Sequence, residues 1–203
     1  MRNPQSLKID FYEQDVVLVA RQLLGMRLVR VVEGKQIAGF ITETEAYRGE
    51  EDLACHARVG KTRRNAVMYG PAGRAYIYFT YGMHWCLNAV CGVTGFPAAV
   101  LIRAIQPVEG QDEIARRRAG IPARHWTNGP AKLCKALAID GNLNGVDLTQ
   151  PNQTLWIETG EKIADAWVVT SPRVGIDFSP EPWRSLAWRF QALLPAETLI
   201  EDK

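Results

Sequence analysis

The runs of this chain that are rich in β-branched and aromatic residues come in neighbouring pairs joined by turn signals, and that spacing constrains the fold most. Residues 28–32 lead through Glu33-Gly34 into 36–47, and 75–79 lead through Thr80-Tyr81-Gly82-Met83 into 84–91. Strands joined by so short a turn pair antiparallel. Further strand-like runs lie at 98–105, 155–158, 167–170 and 173–176. Helical spacing is confined to three places. Residues 14–24 place Val17, Ala20, Leu23 and Leu24 on one face before Gly25. Residues 110–119 are polar and basic around Ile114 and Ala115, and Asn128-Gly129-Pro130 opens a short helix through Leu137. Residues 140–154 are turn-rich. With no repeat, low-complexity tract or linker, the expectation is a single α+β domain over 1–203 with a mainly antiparallel sheet.

Composition removes several classes of function. Lys plus Arg is 24 and Asp plus Glu is 22, a net charge of +2, so nucleic-acid affinity would have to come from how charge is distributed. No apolar run approaches the roughly 18 residues of a membrane span, and the N-terminal MRNPQSLKIDFYEQD has no apolar signal core. Cysteines 55, 86, 91 and 134 form no CxxC pair, which suits reduced, buried thiols in a cytoplasmic protein rather than a zinc site or disulfide scaffold.

Four features depart from an ordinary domain. Glu43, Glu45 and Tyr47 share one face of an extended segment, and two carboxylates beside an aromatic are costly to bury; alone, they also suit a solvated strand end. Arg103 interrupts the apolar run 100–105 and must reach water or an acid, with Glu43 and Glu45 as candidate partners. Tyr81, beside Gly82 and Met83, falls at a hairpin tip, where an aromatic folds back onto its own hairpin or serves as a wedge entering a nucleic-acid groove. Basic residues cluster at Arg58, Lys61, Arg63 and Arg64, at Arg116, Arg117 and Arg118, and at Lys132 and Lys135. Arg64 and Lys132 among them, with Gly129 at the start of the 130–137 helix offering backbone N–H groups, are the candidate phosphate contacts. The segment also lacks GxSxG, GxGxxG and a Walker motif, and Cys55, His56, His84 and Cys86 are poorly spaced as metal ligands, so neither a metal nor an organic cofactor is expected.

The blocks VARQLLGMRLVR, TETEAYRGEEDLACHAR, RNAVMYGPAGRAYIYFTYGMHWCLN, VLIRAIQPVEG and NGPAKLCKALAI occur in one order. In them the chain resembles the alkyladenine (3-methyladenine) DNA glycosylase family from about residue 17 to about 190. The resemblance implies a curved antiparallel sheet, surrounding helices and a protruding β-hairpin that inserts into DNA. It implies that Glu45 is the general base that deprotonates the attacking water and that Arg103 helps hold that water and a phosphate. Tyr47 and Tyr78 would stack on the extruded base, His56 would pack on it and donate a hydrogen bond, and Asn88 would select against the amino group of guanine. Tyr81 would intercalate, with Met83 beside it in the tip. His84 stands where many relatives carry an aromatic or apolar residue, and LAWRF near 186–190 differs from the usual proline-containing end.

The implied activity is that of a monofunctional DNA glycosylase of base excision repair. Its partner would be double-stranded DNA holding a damaged purine, and the chain would act as a monomer without a membrane. Stacking in an aromatic pocket favours alkylated, cationic purines. Two other readings use fewer of these residues. A non-catalytic nucleic-acid-binding module would need the hairpin and basic patches but not Glu45; an unrelated hydrolase using Glu43 and Glu45 as an acid–base pair would not need Tyr81.

Overall fold

The computed structural model describes residues 5–151 and 153–193; the ends of the expected 1–203 domain and residue 152 of the turn-rich stretch lie outside them. Strands β1 (Arg27–Val32), β2 (Lys35–Arg48), β3 (Ala75–Thr80), β4 (His84–Cys91), β5 (Ala98–Glu109) and β6 (Leu155–Glu158) form a sheet in the order β3-β4-β5-β2-β1-β6. Strands β7 (Val168–Ser171) and β8 (Arg189–Ala192) pair with each other, and β8 also pairs with β2. All these pairings are antiparallel. The fold is α+β, as expected.

Four short helices accompany the sheet: α1 (Ile9–Tyr12), α2 (Val16–Gln22), α3 (Gln111–Arg117) and α4 (Pro130–Ala136). The Asp15 carboxylate accepts the Val17 N–H at 2.9 Å and so starts α2. Val16, Val19, Ala20 and Leu23 pack with Leu28, Ile41, Val100 and Ile102 of the sheet, and α4 adds Leu133 and Cys134 to the same core. The single-turn α1 is too short to show a helical period in sequence.

One expected strand is absent. Residues 173–176 are a loop, and the eighth strand is β8 in the LAWRF region. Arg173 is held out of any ladder by a buried ion pair with Asp52, and Gly175 turns the chain with φ 77°. The free edge of β2 at Glu43–Glu45 pairs instead with residues 189–191.

The long β2–β5 pairing is irregular where the unusual residues sit. Ile41 faces Ile105 and Glu43 faces Ala104, so Thr42 has no partner; Thr44 faces Ile102, so Arg103 has none. The extra residue Thr42 resets the alternation of β2, and Arg103 that of β5. Ile37 and Ile41 face the helix-covered core before Thr42, and Ala46 faces it after. Glu43, Glu45 and Tyr47 thereby turn to the other face, where a second apolar cluster holds Tyr76, Val90, Ala99 and Met68 beside Tyr47 and Tyr78.

Candidate active site

Register assembles the site from period-two alternation on adjacent strands. Tyr76 pairs with Asn88, Asn88 with Leu101, and Leu101 with Glu45, one row running across β3, β4, β5 and β2. Tyr78 lies two residues along β3, Tyr47 two along β2 and Arg103 two along β5, so all project to the same face. Over this face opens a cavity of about 530 Å³ lined by Tyr47, His56, Tyr78, Tyr81, Asn88, Arg103 and Arg64, among others. Glu45 has no exposed surface and is not itself in the lining, but Tyr47, Arg103 and Val174, the three groups that hold its carboxylate, all are.

The Glu45 carboxylate is tightly held. Tyr47 donates its hydroxyl to Oε2 at 2.9 Å, and the Val174 backbone N–H donates to Oε1 at 2.7 Å. Arg103 Nη1 lies 3.2 Å from Oε1, while Arg103 Nε donates to Glu43 at 2.5 Å and Arg189 Nε donates to the same Glu43 oxygen at 2.7 Å. Three donors face a carboxylate that has about four acceptor positions, which leaves capacity for one more. Burial pushes the Glu45 carboxyl above the ordinary glutamate range; Arg103, Val174 and Tyr47 pull it back only in part. Arg103 does favour the ionised form, but desolvation outweighs it. Burial also acts against the Arg103 charge, yet Glu45 and Glu43 more than offset this and hold its pKa above the usual value.

The aromatic wall is equally ordered. His56 and Tyr78 meet edge to face with ring centroids 4.4 Å apart, and His56 Nδ1 is 2.9 Å from the Tyr76 hydroxyl. Burial, with help from Arg64 and Arg58, lowers the His56 pKa to about 4, so its imidazole is neutral at neutral pH. Asn88 is buried, and its Nδ2 donates to the Tyr76 carbonyl at 2.9 Å. The Arg173 guanidinium covers Tyr47 at 4.7 Å.

Tyr81 and Met83 occupy the tip between β3 and β4 and are 81% and 67% exposed. The Met83 N–H closes the turn onto the Thr80 carbonyl at 3.1 Å. Both central residues have positive φ, Tyr81 at 51° and Gly82 at 65°, as primed hairpin turns require. A tyrosine in that conformation is unusual, and no packing on the hairpin covers it. Of the expected phosphate contacts, Arg64 is exposed at the cavity, lies over the Tyr78 ring at 5.3 Å and donates to the Phe79 carbonyl at 3.1 Å. Gly129 and Lys132 are not in the lining, although the adjacent Pro130 and Ala131 are; Lys132 Nζ donates to Asn128 at 2.9 Å. Arg116 and Arg117 instead pair with Glu113.

Sequence reasoning missed the pair that supports Glu45. Arg173 and Asp52 are fully buried and joined at 2.5 and 2.9 Å. Arg173 also donates to the Ala46 carbonyl at 2.9 Å and the Trp183 carbonyl at 3.2 Å. This anchors the loop whose next residue, Val174, reaches Glu45. Arg173 opens a short strand-like run after Ser171-Pro172 and carries no signal of the kind that marked Arg103 within residues 100–105. Among the described residues no group of three or more His, Cys, Asp or Glu could hold a metal ion, and no helix is long and apolar enough to cross a membrane.

Residues 10–193 match the family model described as methylpurine-DNA glycosylase. A protein of Carboxydothermus hydrogenoformans is 50% identical over 175 residues, covering 86% of this chain and 91% of that one. One of Methanocella arvoryzae is 45% identical over 180 residues, covering 86% and 88%, and one of Desulfitobacterium hafniense is 44% identical over 190, covering 89% and 92%. All three carry 3-methyladenine DNA glycosylase as a provisional name.

Proposed function

The chain belongs to the methylpurine-DNA glycosylase family, and from that premise we propose that it flips alkylated or deaminated purines out of duplex DNA and hydrolyses their N-glycosidic bond with an activated water. The observation that carries this reading is a buried, charge-paired Glu45 held directly behind the lining of an aromatic cavity by Tyr47, Arg103 and Val174, with the exposed Tyr81 in the same lining.

A base within a duplex is shielded by its neighbours, so its nucleotide must rotate outward at a cost of a few kcal/mol. Tyr81, with Met83 beside it, enters the vacated stack. Tyr47 and Tyr78 take the extruded purine between them, at about 1–3 kcal/mol per stacking contact. A purine methylated at N3 or N7 is cationic and gains further attraction from ring faces. His56, neutral at working pH, offers a ring N–H to the base rather than a charge that would repel it, and Asn88 disfavours guanine from its place in the floor. Arg64, Gly129 and Lys132 track the backbone phosphates.

Water occupies the remaining acceptor position of Glu45 and gives up its proton as it attacks C1′. The carboxylate also stabilises the positive charge that develops on the sugar. The glycosidic electron pair leaves with the purine, which an N-alkyl group has already made a good leaving group; the products are free base and an abasic site. Such a reaction needs no metal or organic cofactor. No lysine is among the described residues lining the cavity, which supports hydrolysis over Schiff-base lyase chemistry. The substrates on this reading include 3-methyladenine, 7-methylguanine, hypoxanthine and ethenoadenine, processed by a monomer.

The test is chromatography of bases released from methylated duplex DNA, run beside borohydride trapping. Free methylated purines, abasic sites and no trapped protein–DNA adduct are expected. Tight lesion binding without base release would replace the enzyme with a binding module, and a trapped adduct would replace water with a lysine.

A further inference from the structure

The hairpin that carries Tyr81 lies at the end of the sheet, and its outer strand β3 would present unpaired backbone groups to solvent. A segment distant in sequence covers that edge. Asp147 bridges Arg74, the Ala75 N–H donates to the Val146 carbonyl at 2.8 Å, and the Gly145 N–H donates to the Ala75 carbonyl at 2.7 Å. The Ile77 N–H donates to the Asn144 side chain at 2.9 Å. Next along the edge, the Phe79 carbonyl accepts from Arg64.

The other strand of the hairpin is held by a close approach. Trp85 pairs with Phe79 across the strands, with ring centroids 4.7 Å apart. The Trp85 ring also lies so near Gly141 that a Cβ there would sit 2.7 Å from Cη2 and 3.1 Å from Cζ3. Gly141 begins a single turn, Gly141–Leu143, fixed by the Asp140 carboxylate accepting the Asn142 N–H at 2.9 Å. Past the Phe79–Trp85 pair, residues 81–84 are all exposed. The aim of the tip is therefore set at its root.

We propose that the 140–144 turn and Trp85 form a brace that fixes the angle of the hairpin, and that Gly141, Asn144 and Trp85 are positioning residues for Tyr81. The inference rests on the reading of Tyr81 as the wedge. A wedge offsets the cost of unstacking only if its root does not yield, and a misplacement of about 1 Å far from the chemistry can cost on the order of a hundredfold in rate. Gly141 does not have a positive φ, so alanine fits its backbone and disturbs only the contact with Trp85.

The experiment measures single-turnover release from methylated duplex DNA, and binding to a duplex holding a tetrahydrofuran abasic analogue, for Gly141→Ala in two backgrounds. With Tyr81 present, release and abasic-duplex affinity should each fall roughly tenfold. Adding Trp85→Phe should recover most of the loss. In the Tyr81→Ala background Gly141→Ala should cause no further loss, an interdependence that a general loss of stability would not produce. Asn144→Ala, which frees one edge N–H without crowding anything, should repeat the pattern with a smaller drop. Equal fractional losses with and without Tyr81, or a Gly141→Ala protein indistinguishable from the parent, would overturn the brace. If the parent releases no base, the glycosylase reading falls while the binding arm still decides the brace.

Discussion

Glu45 has no exposed surface, and four elements hold it: Tyr47 on its own strand, Arg103 on β5, Val174 on a loop and, through Glu43, Arg189 on β8. Tyr81 is 81% exposed, in a strained backbone conformation, with nothing on its own hairpin packed over it. Tyr81 lines the cavity, and Glu45 lies just behind its floor, held by the lining residues Tyr47, Arg103 and Val174. Folding alone would place neither so. A buried carboxylate forgoes hydration and is stable only with its donors in place; an exposed tyrosine leaves apolar surface in water. On the proposed reading the floor is over-determined because the chemistry there would depend on position to a fraction of an ångström. On the same reading the rim is open because its partner would be another molecule. Substitutions should therefore separate: those in the floor should act on rate and stability, and those at the tip on affinity for damaged duplex.

The largest expected effect is that of Glu45→Gln. Loss of the base should lower single-turnover release by about 10²–10⁴-fold, with duplex affinity largely kept, as measured by fluorescence anisotropy. An equal loss of affinity would mean that floor and rim are not separable. Next comes the support of the floor. Arg173→Met leaves Asp52 buried without its partner and should destabilise the protein by about 3–5 kcal/mol in urea unfolding; a cost below about 1 kcal/mol would show that the pair does not hold the loop.

Third is His56, whose pKa is lowered to about 4 in the folded protein from an ordinary 6.5. Between these values the unfolded chain binds the extra proton, so stability falls as pH drops through that window, by roughly 3 kcal/mol in all. His56→Gln should remove that slope, and an unchanged slope would assign it elsewhere. The smallest effect belongs to the tip. Tyr81→Ala should weaken binding to lesion-bearing duplex by about 1–3 kcal/mol and leave the urea midpoint unchanged. A lowered midpoint would mean that Tyr81 serves the fold.

The same contrast decides what could be read from the residues. Tyr81 was legible because its signal is local: an aromatic beside glycine between two strand-like runs. The antiparallel pairing and the shared face of Glu43, Glu45 and Tyr47 were legible for the same reason. Ile37 and Ile41, however, have the same parity as those three and face the opposite side. Only the bulge at Thr42 reconciles the two, and a bulge needs a partner strand to be seen. Arg103 could be marked as an arginine in need of an acid, but not that Arg189 would share Glu43 with it. The Asp52–Arg173 pair joins residues 121 apart, and the run containing Arg173 has the composition of a strand, so residues 173–176 were expected in the sheet. Arg64 shows a different limit. Its place in a basic cluster suggested a phosphate contact, and its bond to Phe79 on the hairpin edge depends on the fold.

The central claim is that the Glu45 carboxylate activates the water, and the pH profile of single-turnover base release from methylated duplex DNA tests it most directly. Burial raises the Glu45 pKa, so in the parent protein release should climb with pH along an acid limb centred above the ordinary glutamate value, as the carboxyl loses its proton. With Glu45→Gln the limb should vanish and the remaining rate should be low and flat. A Glu45→Gln protein that keeps the same limb at near-parent rates would contradict the account.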